Sequence, residues 1–155
     1  MISKDKPVIY YSHPIRGANG EQSTRADMER NCNQAIDNLS WLRWACPHIE
    51  WWCPGANDLG FQLLMEDGRI NIHDVLWADA EIIRRYCHGI LCHGWDASSG
   101  MVMEYDLATS LDLPRLWITT YANLCKEWGK FNENVMSLCT LAKERFSERI
   151  ADSTR

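Results

Sequence analysis

The sequence lacks the long apolar runs and the basic blocks that membrane and nucleic-acid proteins carry. It contains no run of about 18 apolar residues, the length that a membrane-spanning helix needs. Residues 1–6 lack the apolar core of a signal peptide. Lysine and arginine form no cluster, and the net charge is −5. We therefore expect a soluble, intracellular protein with no membrane partner and no polymeric nucleic-acid partner.

Paired cysteine spacings are also missing. The seven cysteines include no C-x-x-C and no spacing of the zinc-binding kind. Cys87-His88 and Cys92-His93 flank one apolar strand, in which neighbouring side chains point to opposite faces. We expect reduced thiols, no metal and no cofactor.

What is present is one regular alternation of short apolar runs with amphipathic stretches. With 155 residues, 46% of them hydrophobic, and no internal repeat, a single domain over 1–155 is expected. The apolar runs predict strands at 7–11, 48–52, 90–92 and 116–120. Helices are predicted over 23–45, 72–86 and 132–150, and a further helix begins after the turn at 98–100. A short helical turn is predicted at 61–65. This alternation favours an α/β three-layer sandwich with a mainly parallel sheet of four to five strands, in the order 2-1-3-4.

The chemistry concentrates after the third strand, in residues 94–104. Gly94 and the Ser98–Gly100 turn predict a small-residue loop that opens a helix. A helix start offers backbone N–H groups and the positive end of the helix dipole, and Gly100 has no Cβ to hold an anion away. Glu104 follows about one turn later, where the dipole favours its ionised form. The segment suggests a phosphate-sized site beside a charged carboxylate.

A plainer interpretation of this segment stays open. Ser98 or Ser99 can act only as an N-cap, and Glu104 can be an ordinary surface residue. A capping box would place its Glu or Gln where Met101 and Val102 stand, and Glu104 has no basic residue at helical spacing to pair with.

A second polar loop, residues 12–20, follows the first strand and carries one cation, Arg16. In parallel α/β sheets, ligands bind outside the carboxyl ends of the strands, where the strand order reverses. With the predicted order, this loop and residues 93–100 face one crevice. Arg16 and the Ser98–Gly100 turn can then hold the same phosphate.

These residues resemble the nucleoside 2-deoxyribosyltransferase-like superfamily. Two motifs lie around the first strand, the strand end Ile9-Tyr10-Tyr11 and then Ile15-Arg16-Gly17. A third, G-W-x-x-S-x-G-x-x-x-E, runs from Gly94 to Glu104 and is followed by Leu-x-Leu-Pro. The resemblance covers about residues 7–120. The family includes deoxyribosyltransferases, nucleoside 5′-monophosphate N-glycosidases and small phage-encoded relatives. The resemblance implies a flavodoxin/Rossmann-like fold and a homodimer or higher homo-oligomer whose sites a neighbouring subunit completes. It also implies a cytoplasmic location, which for the phage relatives is an infected bacterial cell.

The resemblance implies three catalytic residues. Glu104 would attack the anomeric carbon of the sugar, Tyr10 would orient it, and Asp79 would protonate the leaving base. Asp79 would then have a raised pKa, although an Asp on an amphipathic helix is usually solvated. Asp74 and Asp96 are the substitutes for this role.

The resemblance also indicates the substrate. Relatives that take free nucleosides carry an aspartate six residues before the nucleophile, whereas monophosphate-cleaving relatives have a serine, as this chain has at Ser98. A hydroxyl can donate to a phosphate that a carboxylate would repel. The implied substrate-binding residues are Ile15, Arg16, Gly17, Ser98 and Gly100, with Asn123 lent across the subunit interface. The base pocket would contain Trp95 and Trp52, unless these residues and Trp51 serve only in packing.

Two positions depart from the family pattern. His88 stands where relatives have an aspartate at the start of the third strand, and Pro14 where a phosphate-binding relative has serine. Base recognition or phosphate affinity can differ accordingly.

The expected function is cleavage of the N-glycosidic bond of a (deoxy)nucleoside 5′-monophosphate through a covalent glycosyl-Glu104 intermediate that water releases. One alternative is transfer of the sugar to a second base, and another is a nucleotide-binding protein without turnover. The lysine-decarboxylase-like phosphoribohydrolases also set a glycine-rich turn before a glutamate. Their P-G-G-x-G-T turn is absent here.

Overall fold

The computed structural model describes residues 5–54, 58–94 and 99–154. The strands are β1 (Val8–Ser12), β2 (Glu50–Trp52), β3 (Gly89–His93) and β4 (Arg115–Ile118). The helices are α1 (Arg25–Ala45), α2 (Asp58–Glu66), α3 (Ile72–Tyr86), α4 (Ser99–Ser110) and α5 (Trp128–Ser153). A 3₁₀ segment, Gly17–Gln22, precedes α1. None of the described helices is both long enough and apolar enough to span a bilayer.

The four strands form one parallel sheet in the order β2-β1-β3-β4. The predicted α/β class, parallel pairing and strand order are confirmed. β1 and β3 lie at the centre, and their register places Ser12 beside Cys92. The carboxyl ends of the two strands therefore lie side by side at the point where the strand order reverses, which is where such sheets bind ligands.

Two hydrophobic layers cover the two faces of the sheet. Every residue of β1 and β3 is buried, as expected for central strands covered on both sides. Ile9 and Tyr11 pack with residues of α1 and α5, whereas Val8 and Tyr10 pack with residues of α3 and α4. The alternation of side chains along β1 thus assigns Tyr10 to the α3–α4 side.

Local hydrogen bonds set several boundaries away from their predicted positions. α1 begins at Arg25 rather than near residue 23, because Thr24 forms a capping box with Asp27. β2 begins at Glu50 rather than 48, since a turn bonds the Ile49 amide to the Cys46 carbonyl at 3.1 Å.

Three more boundaries also differ. β4 ends at Ile118 rather than 120, because the Ala122 amide donates to the Thr120 hydroxyl at 3.2 Å and turns the chain. α5 begins at Trp128 rather than near 132, because Trp128 and Phe131 continue its apolar stripe against the core. The predicted short turn at 61–65 is the nine-residue helix α2.

Candidate active site

Glu104 lies on the face of α4 that packs against the sheet. Met101 and Ala108, about one turn before and one turn after it, are buried. The spacing therefore carries Glu104 inward, and the residue is half-buried. It is not the ordinary surface residue of the plainer interpretation.

Two hydroxyls from β1 hold the Glu104 carboxylate. Tyr10 donates to Oε1 at 2.7 Å, and Ser12 donates to Oε2 at 2.5 Å. Tyr10 and Ser12 are two residues apart in a strand, so both point to the face that α4 covers. A donor on each oxygen fixes the orientation of the carboxylate and favours its charged form.

Asp79 lies within electrostatic range of the same hydroxyl. Burial raises the pKa of Tyr10 well above its ordinary value, and the negative charges of Glu104 and then Asp79 raise it further. Tyr10 therefore keeps its proton and acts as a donor. Asp79 is only 8% exposed, because it lies on the packed face of α3 with Ile83. The three predicted catalytic side chains thus gather on one side of the sheet.

Two cysteine thiols lie near the carboxylate. Burial raises the pKa of Cys92, and the charge of Glu104 raises it further. Burial also raises the pKa of Cys87, with a smaller contribution from Glu104. Both thiols stay protonated at neutral pH, so neither can compete with Glu104 as a nucleophile.

The loop after β1 is anchored to α1. The Asn31 side-chain amide donates to the Ile15 carbonyl at 2.9 Å. Gly17 has a φ of +57°, and a Cβ there would lie 2.5 Å from Asn31 Nδ2, so only glycine fits. The Arg16 carbonyl accepts a hydrogen bond from the Ser23 hydroxyl, while the Arg16 side chain is exposed and makes no ion pair with the described residues.

The loops that follow β1, β3 and β4 meet at the carboxyl edge of the sheet. Gly94 has a φ of +139°, and a Cβ there would lie 3.0 Å from the Pro14 side chain and 3.2 Å from the Tyr121 ring. Trp117 donates its indole N–H to the Gly94 carbonyl at 2.9 Å. Pro14 thus packs against the start of the loop that leads to α4. Pro14 and Gly94, near the starts of the two polar loops, therefore lie side by side.

Comparison with known proteins does not identify a family. The protein-family models, the curated proteins and the solved structures gave no significant match to this chain. The resemblance to the nucleoside 2-deoxyribosyltransferase-like superfamily therefore depends on the residues of this chain and stays a prediction.

The predicted phosphate turn is only partly described. Ser98, Trp95 and Asp96 lie outside the described residues, so their roles stay predictions. Gly100 is the second residue of α4. It therefore belongs to the first helical turn, whose N–H groups have no partner within a helix.

Asn123 and Asp74 have local structural partners. The Asn123 side-chain oxygen accepts from the Lys126 amide at 3.0 Å. Asp74 accepts from the Asn71 amide at 2.8 Å and completes the capping box of α3. Because Asp74 is exposed and Asp79 is buried, the role of proton donor fits Asp79 better.

The two tryptophans of β2 point to opposite layers. Trp52 packs with Tyr10 in the layer that contains the α4 contacts, and its indole Nε1 is buried without a hydrogen-bond partner among the described residues. Trp51 is 2% exposed and packs in the other layer. Trp51 therefore serves in packing, whereas Trp52 lies on the side that the base-pocket hypothesis requires.

His88 directly precedes the amino end of β3. Its Nδ1 accepts from the Val8 amide at 3.1 Å, and its ring meets Phe146 edge-on at 5.0 Å. The effect of this departure on base recognition stays a prediction.

Ser12 and Asn31 belong to the site but were not predicted. Ser12 has a signal in the sequence, since it follows Tyr10 by two residues in a strand and must share its face. Asn31 has none, because one polar residue on a long amphipathic helix does not indicate which carbonyl it meets.

Proposed function

We propose that this protein cleaves the N-glycosidic bond of a (deoxy)nucleoside 5′-monophosphate. The observation that carries the proposal is the Glu104 carboxylate held by the Tyr10 and Ser12 hydroxyls, at 2.7 and 2.5 Å, at the carboxyl edge of the sheet. A buried carboxyl, Asp79, acts on the same tyrosine. One fixed carboxylate and one buried acid are the two groups that retention-type glycoside cleavage requires.

In the first step, a Glu104 oxygen attacks C1′ of the sugar and forms a glycosyl ester. The bond from C1′ to the base breaks, its electron pair goes to the base nitrogen, and Asp79 donates a proton to the base. Each carboxylate oxygen has lone pairs beyond the one that a hydroxyl uses, so the two hydrogen bonds still permit attack.

In the second step, water attacks C1′ and the Asp79 carboxylate takes its proton. The ester bond breaks and returns the Glu104 carboxylate, while sugar 5-phosphate leaves. The hydroxyls of Tyr10 and Ser12 stabilise the charged carboxylate before the first step and after the second.

The 5′-phosphate would be bound between the two polar loops. The exposed Arg16 side chain and the first turn of α4, which contains Gly100, supply positive potential there. The Ile15 carbonyl, bonded to Asn31, and Gly17, packed against the Asn31 side chain, support the position of Arg16. Ser98 would donate to the phosphate.

A screen for released base tests this function. Purified protein is incubated with each common ribo- and deoxynucleoside 5′-monophosphate, and free base is measured by chromatography. We expect release from at least one nucleotide and a loss on the order of 10³-fold or more in Glu104→Gln. The exposed Glu144, on α5, gives the matched control Glu144→Gln, which should retain full activity. Glu104→Gln as active as the parent protein would refute the mechanism.

The same incubation separates the alternatives. With an added free base, a new nucleotide product would indicate sugar transfer. Tight nucleotide binding without base release, unchanged in Glu104→Gln, would indicate a binding protein without turnover.

We further propose that the chain assembles as a homo-oligomer through α3 and α4. Trp77 on α3 is 65% exposed and Met103 on α4 is 54% exposed, and each lies close in sequence to a proposed catalytic residue. Trp77→Glu should lower the molar mass in light scattering, whereas Trp44→Glu on α1, at a 71% exposed tryptophan, should not. A monomeric parent protein would contradict the proposal.

A further inference from the structure

A basic cavity lies at the amino end of β3, and its lining contains none of Tyr10, Ser12 and Glu104. Its volume is about 370 Å³, and its walls come from the end of α3, the residue before β3 and the end of α5. The polar lining groups include Arg85, His88, Arg149 and Ser153. The chain has a net charge of −5, so positive side chains gathered in one concave site mark an uneven distribution of charge.

Arg149 is the central cation of this cavity. It is half-buried and forms no ion pair with the part of the chain that the structure describes. Burial lowers the pKa of Arg149, and the nearby positive charge of Arg145 lowers it further. An arginine that is desolvated and repelled in this way gains more from an incoming anion than a solvated one does.

Arg145 is incompletely partnered, whereas Arg84 and Arg85 share Glu81. Arg145 contacts Glu148 at 3.3 Å and the Leu111 carbonyl at 3.4 Å, yet its Nε is buried with no hydrogen-bond partner among the described residues. Glu81, the carboxylate nearest in sequence to the α3 wall, is already held by Arg84 at 3.0 Å and Arg85 at 2.7 Å.

His88 adds a donor rather than an acceptor. The Val8 amide donates to Nδ1, so Nδ1 carries no proton and the neutral ring carries its proton on Nε2. Burial, followed by the charges of Arg149 and Arg145, lowers the pKa of His88 to about 4, so this neutral form is the one at pH 7.

We propose that this cavity binds the phosphate group of a small organic phosphate, with Arg149 as the main ligand and His88 as a further donor. A phosphate ester carries up to two negative charges on three terminal oxygens, so it gains more than a singly charged carboxylate from a guanidinium that lies beside a second arginine. The exposed parts of Tyr86 (45%) and Ile150 (47%) give the cavity an apolar wall for the organic portion.

The helix dipole alone does not explain this arrangement. Cations are common near the carboxyl ends of helices, and this accounts for Arg85 in the last turn of α3. It does not account for the partial burial of Arg149 beside a second arginine, which costs free energy when no anion is bound.

The test is a residue-resolved NMR titration of the whole chain with phenyl phosphate. We expect the largest amide shifts near Phe146, Arg149 and Ser153, and tighter binding than for inorganic phosphate or benzoate. Arg149→Gln should weaken phenyl phosphate binding at least tenfold, and Arg149→Lys, which keeps the charge but loses the planar fork, should also weaken it. Tighter binding of benzoate than of phenyl phosphate would overturn the assignment to phosphate.

Two controls separate this site from the rest of the surface. Arg84→Gln removes one positive charge from the end of α3, beside the wall that Arg85 and Tyr86 form, without touching the cavity lining, and we expect less than a twofold change. Arg16→Gln should likewise leave this binding unchanged, even if it disturbs the proposed nucleotide site. Shifts confined to residues 15–17 and 99–101, or equal losses in Arg84→Gln and Arg149→Gln, would overturn the proposal.

Discussion

At the scale of single residues, the Glu104 carboxylate accepts one hydrogen bond on each oxygen, and both donors come from alternate positions of one strand. We therefore expect Tyr10→Phe and Ser12→Ala each to lower kcat for base release by about 10- to 100-fold with a small change in KM. Because both hydroxyls hold the same carboxylate, the double variant should lose less than the product of the two.

Tyr11→Phe is the matched control for this experiment. Tyr11 is as buried as Tyr10 but faces the other layer, where its hydroxyl contacts His93 Nδ1 at 2.8 Å. Its removal should lower stability without lowering kcat. An equal loss of kcat in Tyr10→Phe and Tyr11→Phe would mean that general destabilisation, not carboxylate positioning, is being measured.

The role of a residue could be predicted from the sequence only where a motif included that residue. Glu104 and Tyr10 followed from a resemblance that spans several segments, and their contact is now visible at 2.7 Å. The inward direction of Asp79 depends on how α3 packs. Nothing in the sequence indicated that Asn31 would reach the Ile15 carbonyl, because such contacts depend on how a helix docks.

At the scale of elements, the loop after β1 depends on one glycine. Gly17→Ala would place a methyl group 2.5 Å from Asn31 Nδ2 at a positive φ. We expect the free energy of unfolding to fall by about 2 kcal/mol, with weaker substrate binding, as measured by denaturant titration and KM.

Gly129→Ala supplies the comparison for Gly17→Ala. Gly129 lies in α5, where an added Cβ would meet no atom within 4 Å. Alanine there should leave stability unchanged or raise it by up to about 1 kcal/mol, because glycine is unfavourable within helices. If both variants lost the same stability, the contact with Asn31 would not be the cause.

The type of each helix and strand could be predicted from the sequence, but its first and last residues could not always be. Apolar periodicity located the four strands and the long helices in the described part of the chain, since packed faces must repeat with the period of the backbone. The predicted ends of elements were wrong where a side chain sets the boundary. Thr24 caps α1, which therefore begins at Arg25, and the Thr120 hydroxyl turns the chain soon after Ile118, where β4 ends. The early start of α5 was missed because Trp128 and Phe131 begin the stripe before the clear run around Val135.

At the scale of the whole molecule, three buried histidines make stability depend on pH. Burial lowers the pKa of His13 to about 3, with a further effect of His93, and lowers the pKa values of His88 and His93 to about 4. The unfolded chain binds protons near pH 6.5, so it holds more protons than the folded protein between pH 6.5 and 4, and stability falls as the pH falls.

We expect the free energy of unfolding to decrease between pH 7 and pH 5 by about 2 kcal/mol for each of these histidines. Denaturant titrations at several pH values measure this slope. His93→Gln should make the slope shallower, whereas His73→Gln, at an exposed position of α3, should leave it unchanged. A free energy of unfolding that is constant over this pH range would show that the imidazoles are not held neutral.

The strand order of the whole sheet could be predicted because parallel crossovers allow few topologies. The basic cavity at the other end of β3 could not, since it is formed by residues from α3, α5 and the start of β3 that are far apart in sequence.

The most direct test of the central claim is the mass of the protein during turnover. After incubation with a cleaved nucleotide and an acid quench, we expect a fraction of the protein to carry one added sugar phosphate, on the peptide that contains Glu104. The added mass should be missing in Glu104→Gln. Base release that continues in Glu104→Gln, or an adduct on another peptide, would contradict the account.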